Sequence, residues 1–343
     1  MTLLPFASPP KPLALPTLNP YRLGATLYMP ATRSDIWEII SRQKLPHIDS
    51  IVLCLEDAIT DSEVVPALAN LAALLATWQA HQDRHPFERL LQRPLVFVRP
   101  RNAMMLAQLS NLAHIACLDG FVLPKIDMST LADWRVACQD LPSEQFLMPT
   151  LETRAIFNPV HNHELALALT EAFYQSILAL RVGGNDLFAC LRLRRPASAT
   201  VYQSPVGALM YQLIACFVPY GFYLTAPVFE YLDKAQLLAA ELRQDVELGF
   251  VGKTIIHPTQ IDSVKQAFGV SAIELSQAQA ILAKDAKAVF KQNDSMLEPA
   301  THRAWATHIL LRAQAAGNGA ETSTGTCPPP FDQSYSIRQG DLG

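Results

Sequence analysis

Short apolar runs alternate with longer segments of helical spacing along most of the chain. Eight of these runs have the length and composition of buried strands. They cover residues 25–30, 50–57, 94–100, 120–125, 145–152, 177–184, 221–228 and 249–258. Segments between them, such as 64–82 and 163–175, place apolar residues three and four apart, as amphipathic helices do. The alternation predicts a parallel sheet with helical crossovers.

Eight strand–helix pairs within roughly 240 residues match the size of a (β/α)8 barrel, although an open doubly wound sheet has the same alternation. The polar residues that end six of the strands help to decide between the barrel and the open sheet. They are Glu56 with Asp57, Arg99, Lys125, Glu152, Asp186 and His257. In a barrel all of these ends meet on one face, whereas an open sheet spreads them along a line. We therefore predict an α/β protein built on a (β/α)8 TIM barrel.

Composition changes at both ends of the chain. Residues 1–20 are too rich in proline for a signal peptide and predict an extended arm before a barrel domain at 21–270. Residues 271–315 predict a C-terminal helical extension. Residues 316–343 are rich in Gly, Ser, Thr and Pro, which is typical of a flexible tail or an interaction arm. No run of 18 apolar residues predicts a membrane-spanning helix.

Charge and cysteine content narrow the class of partner and compartment. The formal net charge is −4 and no long basic block occurs, so the sequence gives no indication of a nucleic-acid partner. Six cysteines are scattered without CxxC spacing, which is typical of reduced thiols and indicates a cytoplasmic protein. Half of the residues are hydrophobic, enough for a chain of this length to bury one large core or two smaller ones.

Two acids on neighbouring strands predict a metal site. Glu152 and Asp186 each follow an apolar run, and their strands would be adjacent. Two close carboxylates repel unless a cation lies between them. Mg²⁺ binds one or two carboxylates and keeps water molecules that a substrate can replace, and Mn²⁺ would also fit. Taken singly, either acid could instead accept an ion pair or cap a helix, as Asp186 would for a helix beginning at Leu187.

Arg99 closes the third strand and offers a guanidinium at the same face. Its two parallel donors match the carboxylate of a small oxo acid or hydroxy acid, although it could simply neutralise the nearby acids. Glu56 and Asp57 could bind metal-bound waters and orient Arg99, or one of them could take a proton. The glycine pair at 183–184 matches no nucleotide-binding motif and predicts a close approach of ligand to the backbone at Gly184.

The last strand carries two further candidates. Lys253 could reach a phosphate or carboxylate, and His257 could carry a proton, although a His-Pro pair after a strand is often a hydrogen-bonded turn.

Seven stretches in order resemble the HpcH/HpaI aldolase and citrate lyase β-subunit family of the phosphoenolpyruvate/pyruvate superfamily. They are LYMPATRSD, DSIVLCLEDAI, VFVRPRN, GFVLPKID, MPTLETRAIF, RVGGNDLF and GFVGKTIIHPTQI, within residues 21–270. The resemblance implies a Mg²⁺-dependent lyase that cleaves or forms a carbon–carbon bond in a small 2-hydroxy acid or its CoA thioester. It also implies a homo-oligomer, a trimer or hexamer.

By this resemblance Glu152 and Asp186 would be the metal ligands and Arg99 would hold the substrate carboxylate, with Lys125 supporting the substrate site. The chain departs from the family pattern at Arg154, where a small residue is usual, and at the run Arg192, Arg194, Arg195. These departures resemble a divergent branch found in bacterial tellurite and stress-response clusters. They leave open a non-catalytic ligand-binding component of a stress-response complex, and phosphoryl chemistry in which the three arginines would hold phosphate.

Overall fold

The computed structural model describes residues 17–85, 93–173 and 176–317. Within them, eight parallel strands form one sheet in the order β7-β6-β5-β4-β3-β2-β1-β8. The strands are β1 (Gly24–Pro30), β2 (Ser50–Cys54), β3 (Leu95–Arg99), β4 (Gly120–Leu123), β5 (Phe146–Leu151), β6 (Leu180–Val182), β7 (Leu224–Thr225) and β8 (Gly252–Ile255). The sheet closes where Val251 N donates to Leu224 O at 2.9 Å and Ala226 N donates to Gly252 O at 2.8 Å. The predicted barrel is confirmed.

Helices pack around the barrel, and the first eight of them connect its strands. They are α1 (Ile36–Ile40), α2 (Val64–Arg84), α3 (Ala103–Leu109), α4 (Leu131–Ala137), α5 (Pro159–Phe173), α6 (Gly184–Cys190), α7 (Pro205–Phe217), α8 (Ala235–Glu247), α9 (Ile261–Phe268), α10 (Ala272–Leu282) and α11 (Pro299–Ala315). Local sequence sets several of their starts. Before α7, the Ser204 side chain accepts from Gly207 N, and Pro205 occupies the first helical position. No described helix is long and apolar enough to cross a membrane.

The apolar runs are continuous because both faces of the sheet are buried. One set of side chains, including Val52, Phe97, Val122 and Met148, fills the lumen of the barrel. The alternate side chains pack against the surrounding helices in a second, larger core. Strands of this kind place polar residues at their ends, where the chain leaves the sheet, and this is where the candidate site lies.

The predicted strand segments were too long. The segment 177–184 contains only the three residues of β6, and the segment 221–228 contains only the two residues of β7. Residues that flank the strands, such as Leu55 after β2, stay buried although they lie outside the strand. Burial therefore extends the apolar pattern beyond the hydrogen-bonded strand, and the pattern alone overstates strand length.

The C-terminal part adds α10, α11 and a hairpin of β9 (Phe290–Gln292) and β10 (Ser295–Leu297). Helix α11 lies at the amino-terminal end of the barrel, where the Asn19 side chain donates to Leu311 O at 2.7 Å. Leu311 and Ala315 pack against the lumen core. We keep the division at residue 270 as a proposal. Most of the predicted arm (1–16) and tail (318–343) lies outside the described residues.

Candidate active site

Four consecutive strands bring polar side chains to one face of the barrel, which we call the mouth. Glu56 lies two residues after β2, and Arg99 is the last residue of β3. Lys125 lies two residues after β4, and Glu152 follows β5 directly. Contacts join all four groups, so the sequence prediction that these strand ends meet is confirmed for them.

Arg99 lies at the centre of this group and is buried. Its Nη2 forms an ion pair with Glu56 Oε2 and lies 3.2 Å from both Asp57 Oδ2 and Glu152 Oε1. Burial lowers the pKa of Arg99, but Glu152, Tyr28 and Glu56 offset it, and the pKa lies above its usual range. Arg99 therefore stays charged and neutralises the acids around it. Its predicted contact with a substrate carboxylate stays a prediction.

Lys125 contributes both its backbone and its side chain. Its N–H donates to Glu152 Oε1 at 2.9 Å, and its Nζ donates to Glu56 Oε1 at 2.5 Å. The backbone adopts a φ of 52°, a region that non-glycine residues rarely occupy. The sequence shows no sign of this conformation, and the backbone contact to Glu152 could not be predicted from it.

Glu152 is a buried carboxylate, and only one of its two oxygens accepts hydrogen bonds from the described residues. Burial raises its pKa to about 7; Arg99 lowers the pKa and Asp186 raises it. Oε1 accepts from Lys125 N and from Arg99 Nη2, at 2.9 and 3.2 Å. Oε2 accepts no hydrogen bond from the described residues. A buried carboxylate with a free oxygen is suited to a cation.

Asp186 lies in the first turn of α6 and is partly exposed. The alternative that it caps a helix beginning at Leu187 is wrong, because α6 begins at Gly184 and Asp186 lies inside it. Its carboxylate has no hydrogen bond or ion pair within the described residues, yet its charge acts on Glu152. No group of three or more His, Cys, Asp or Glu side chains in the described ranges is arranged to hold a metal.

The glycine pair after β6 shapes the space around these acids. A Cβ on Gly183 would lie 2.2 Å from Glu152 Oε2, so this position admits only hydrogen if the carboxylate is to stay in place. A Cβ on Gly184 would lie 2.8 Å from Cβ of Pro227. The predicted approach of a ligand to Gly184 stays a prediction.

Lys253 does not lie at the mouth. It is fully buried, and its Nζ lies 2.8 Å from both Glu241 Oε1 and Asp245 Oδ2 on α8. Arg195 is also buried and forms an ion pair with Glu241. The prediction that Lys253 reaches a ligand is wrong, because α8 supplies two carboxylates that occupy its charge. His257 N-caps the turn Pro258–Gln260, where its Nδ1 lies 2.9 Å from Thr259 Oγ1.

The three arginines after α6 do not form one cluster. Arg195 belongs to the buried ion network on α8, and the exposed Arg194 lies 3.3 Å from Glu230. Arg192 lines a cavity together with Arg154. A phosphate site built from all three side chains is therefore not formed.

Arg181 is a buried charged residue that the sequence analysis did not single out. It lies on β6, is 2% exposed, and extends into the lumen, where its Nη2 donates to Thr254 Oγ1 at 2.5 Å. Its guanidinium carbon lies 5.1 Å from the centre of the Tyr28 ring. Burial lowers the pKa of Arg181. A charged residue inside the apolar run ILALRVGG was a visible signal.

Comparisons with known proteins agree with this architecture. Residues 17–318 match the family described as "C-C_Bond_Lyase of the TIM-Barrel fold". A (3S)-malyl-CoA thioesterase of Cereibacter sphaeroides is 25% identical over 260 residues, which cover 76% of this chain and 81% of that protein.

Two solved structures share the fold. A citrate lyase from Burkholderia xenovorans superposes with a TM-score of 0.64 at 20% identity, covering 87% of this chain and 94% of that one. CitE from Mycobacterium tuberculosis, solved with magnesium, acetoacetate and coenzyme A, gives a TM-score of 0.59 at 20% identity, covering 86% and 99%. At this identity the likeness shows the fold.

Proposed function

Since the chain belongs to the family of C–C bond lyases of the TIM-barrel fold, we propose that it cleaves or forms a carbon–carbon bond in a small 2-hydroxy acid or its CoA thioester. The observation that carries the proposal is the buried Glu152 carboxylate beside Arg99 at the mouth, near enough to Asp186 for the charge of Asp186 to act on it. Family membership favours this enzymatic function over a purely ligand-binding role.

The two acids fit a divalent metal ion. Glu152 is buried with Oε2 free of donors, and Asp186 has no partner within the described residues, so each has an oxygen to offer. Burial and the charge of Asp186 both disfavour a charged Glu152, and a cation would relieve both effects. We propose that these residues hold Mg²⁺, with Mn²⁺ as an alternative, since both ions bind carboxylate oxygens. When bound, the ion would polarise the oxygen atoms of an acid substrate.

Arg99 is the group we propose to hold the substrate carboxylate. Its Nη2 is bound to three acids, which fix the plane of the guanidinium. Its buried Nε has no acceptor among the described residues. A substrate carboxylate would supply one, and charge-assisted bonds of this kind are about twice as strong as neutral ones.

Glu56, which forms an ion pair with Lys125, is the group we propose to accept a proton. Burial raises the pKa of Glu56 while Arg99 and Lys125 lower it, and the pKa lies above its usual value. We propose that Glu56 takes the hydroxyl proton of the substrate and that Asp57 helps to orient Arg99. The deprotonated oxygen then forms a carbonyl as the carbon–carbon bond breaks, the electrons of that bond form an enolate on the departing fragment, and the enolate takes the proton back from Glu56. Cationic groups at the mouth would stabilise the enolate charge.

Thioester hydrolysis is a second candidate, because the curated relatives are named (3S)-malyl-CoA thioesterases. The two reactions leave different products. Hydrolysis releases the free thiol of CoA and an intact acid, whereas carbon–carbon cleavage releases an oxo acid and leaves the thioester intact.

The test is a turnover assay of the full chain with Mg²⁺ on a panel of 2-hydroxy acids and their CoA thioesters, with thiol and oxo acid measured separately. Glu152→Gln and Asp186→Asn should each lower turnover about 100-fold or more, because each removes a charged metal ligand. The exposed Glu144→Gln and Asp133→Asn provide matched controls and should retain activity. Full turnover in Glu152→Gln, with circular dichroism unchanged, would remove the assignment.

A further inference from the structure

A cavity of about 520 Å³ is lined by residues that follow Glu152 and Asp186 in the chain. Its walls come from the turn after β5 and from the end of α6. The lining residues are Arg154, Phe157, Asn158, Cys190, Leu191 and Arg192. We call it the arginine cavity. Arg154, and Arg192 from the second departure noted in the sequence, therefore line one cavity.

Both walls of the arginine cavity begin a few residues after the proposed metal ligands. Arg154 follows Glu152 by two residues, a span of at most about 7 Å along the chain. On the other wall, Cys190 follows Asp186 by four residues in α6, and residues four apart lie on the same face of a helix. A small molecule held by Glu152 and Asp186 would therefore lie close to this cavity.

The two arginines of the cavity are not neutralised. Within the described ranges neither Arg154 nor Arg192 has a hydrogen bond or ion pair from its side chain, and both side chains are exposed. Arg194 and Arg195, on the same segment, each have a carboxylate partner. Two unneutralised cations lining one cavity give it a positive potential, which attracts an anion. Guanidinium groups match the geometry of carboxylate and phosphate.

We propose that the arginine cavity binds a second anionic group of the substrate, remote from the bond that reacts, and so selects acids with two negative groups. The inference rests on the proposed function, since it treats the mouth as the site of the reacting end. Phe157 and Leu191 would contact the carbon chain of the ligand. The anionic group is a carboxylate of a free diacid or a phosphate of a CoA thioester, since arginine binds both.

The test compares two probes that differ by one carboxylate, L-malate and L-lactate, with coenzyme A as a third. Binding to the full chain is measured calorimetrically with Mg²⁺ present. In the double variant Arg154→Gln/Arg192→Gln, malate affinity should fall tenfold or more, about 1.4 kcal/mol, while lactate affinity stays unchanged. Arg194→Gln is the matched control, because Arg194 lies on the same segment but does not line the cavity.

The arms of this experiment separate the sources of the anion. A loss confined to malate supports a carboxylate, and a loss confined to coenzyme A supports a phosphate. Equal losses for malate and lactate overturn the proposal, as does wild-type affinity of the double variant for malate and coenzyme A. A wild-type chain that binds neither malate nor coenzyme A also overturns it.

Assaying the lyase activity of the wild-type chain beside these titrations separates this inference from the proposed function. Binding of malate or coenzyme A that depends on the arginines, in a wild-type chain without lyase activity, would retain the anion site and reject the lyase. Full lyase activity of the wild-type chain, combined with unchanged binding of malate and coenzyme A by the double variant, would retain the lyase and reject the anion site.

Discussion

At the scale of single residues, Gly183 leaves the space that the Glu152 carboxylate occupies. A Cβ at this position would lie 2.5 Å from Cβ of Glu152 and closer still to Oε2. Contacts this short require one group to move. Gly183 therefore fixes the direction of the Glu152 side chain, although a glycine offers that side chain neither a side-chain hydrogen bond nor a charge.

Gly183→Ala should lower Mg²⁺ affinity by roughly 10–100-fold, the range seen when a residue that orients a metal ligand is changed. The measurement is a calorimetric titration with Mg²⁺. Gly184→Ala is a suitable control, because its Cβ would press on Pro227 and not on Glu152. Equal metal affinity in Gly183→Ala and the wild type would contradict this account of Gly183.

Much of the mouth was predictable at this scale, because a polar residue that follows a buried apolar run has few places to lie. Glu56, Arg99 and Glu152 meet as expected. Two features could not be predicted. The backbone bond from Lys125 depends on a positive φ that lysine rarely adopts. The placement of Arg154 and Arg192 on one cavity depends on how the segments after β5 and after α6 fold.

At the scale of elements, β8 and α8 are held together by buried ions. Lys253 on β8 contacts Glu241 and Asp245 on α8, and the Tyr202 hydroxyl donates to Asp245 Oδ1 at 2.5 Å. Burial raises the pKa of Glu241, but Lys253 and Arg195 more than offset it, and the pKa lies below its usual range. The charges of this network's two carboxylates and two cations balance only while all four side chains are present.

Lys253→Met should lower the free energy of unfolding by about 3–5 kcal/mol, because it leaves buried carboxylates without their cation. Urea unfolding at pH 7 measures this. Lys265→Met removes a half-exposed lysine that lies 2.7 Å from Asp49 and should cost about 1 kcal/mol or less. Similar losses in the two variants would show that the buried network adds little stability.

Helix α11 should make the protein sensitive to acid. The His308 ring lies 5.4 Å from that of Tyr223 and 6.3 Å from that of Tyr21. Burial lowers the pKa of His308 below its usual 6.5. Below that pH the unfolded chain binds a proton that the folded chain resists, so stability falls as pH falls.

His308→Phe removes this titration and should lose less stability than the wild type between pH 7.5 and pH 5. Thermal unfolding of both proteins at the two pH values measures the difference. His47→Gln changes an exposed histidine and should follow the wild type. A wild-type pH dependence in His308→Phe would exclude His308 as its source.

At the scale of the whole molecule, the barrel was predictable from the sequence, but the shortness of two of its strands was not. Eight buried runs separated by helices are compatible with few folds, and the polar strand ends favour the closed one. The shortness of β6 and β7 was hidden, because residues beyond those strands are equally apolar. The ion network on α8 was also hidden, since Glu241 and Asp245 resemble the exposed acids of any amphipathic helix.

The resemblance to the family implies a homo-oligomer, and the surface around the mouth is consistent with one. Val65, Met104 and Val160 lie in the first turns of α2, α3 and α5, and are 75%, 71% and 65% exposed. Helices that follow strands begin on the mouth side of a barrel. We predict that light scattering after size exclusion gives the mass of three or six chains; a single-chain mass would contradict this.

Arg181 has a consequence for how the barrel keeps its shape. Its guanidinium reaches from β6 across the lumen to Thr254 on β8 and the Tyr28 ring on β1, and also contacts Met148 on β5. Since β7 has two residues, the backbone alone holds little of the wall between β6 and β8. The Arg181 side chain thus connects β6 to β8 across the lumen, where the two residues of β7 alone would hold these strands together only weakly.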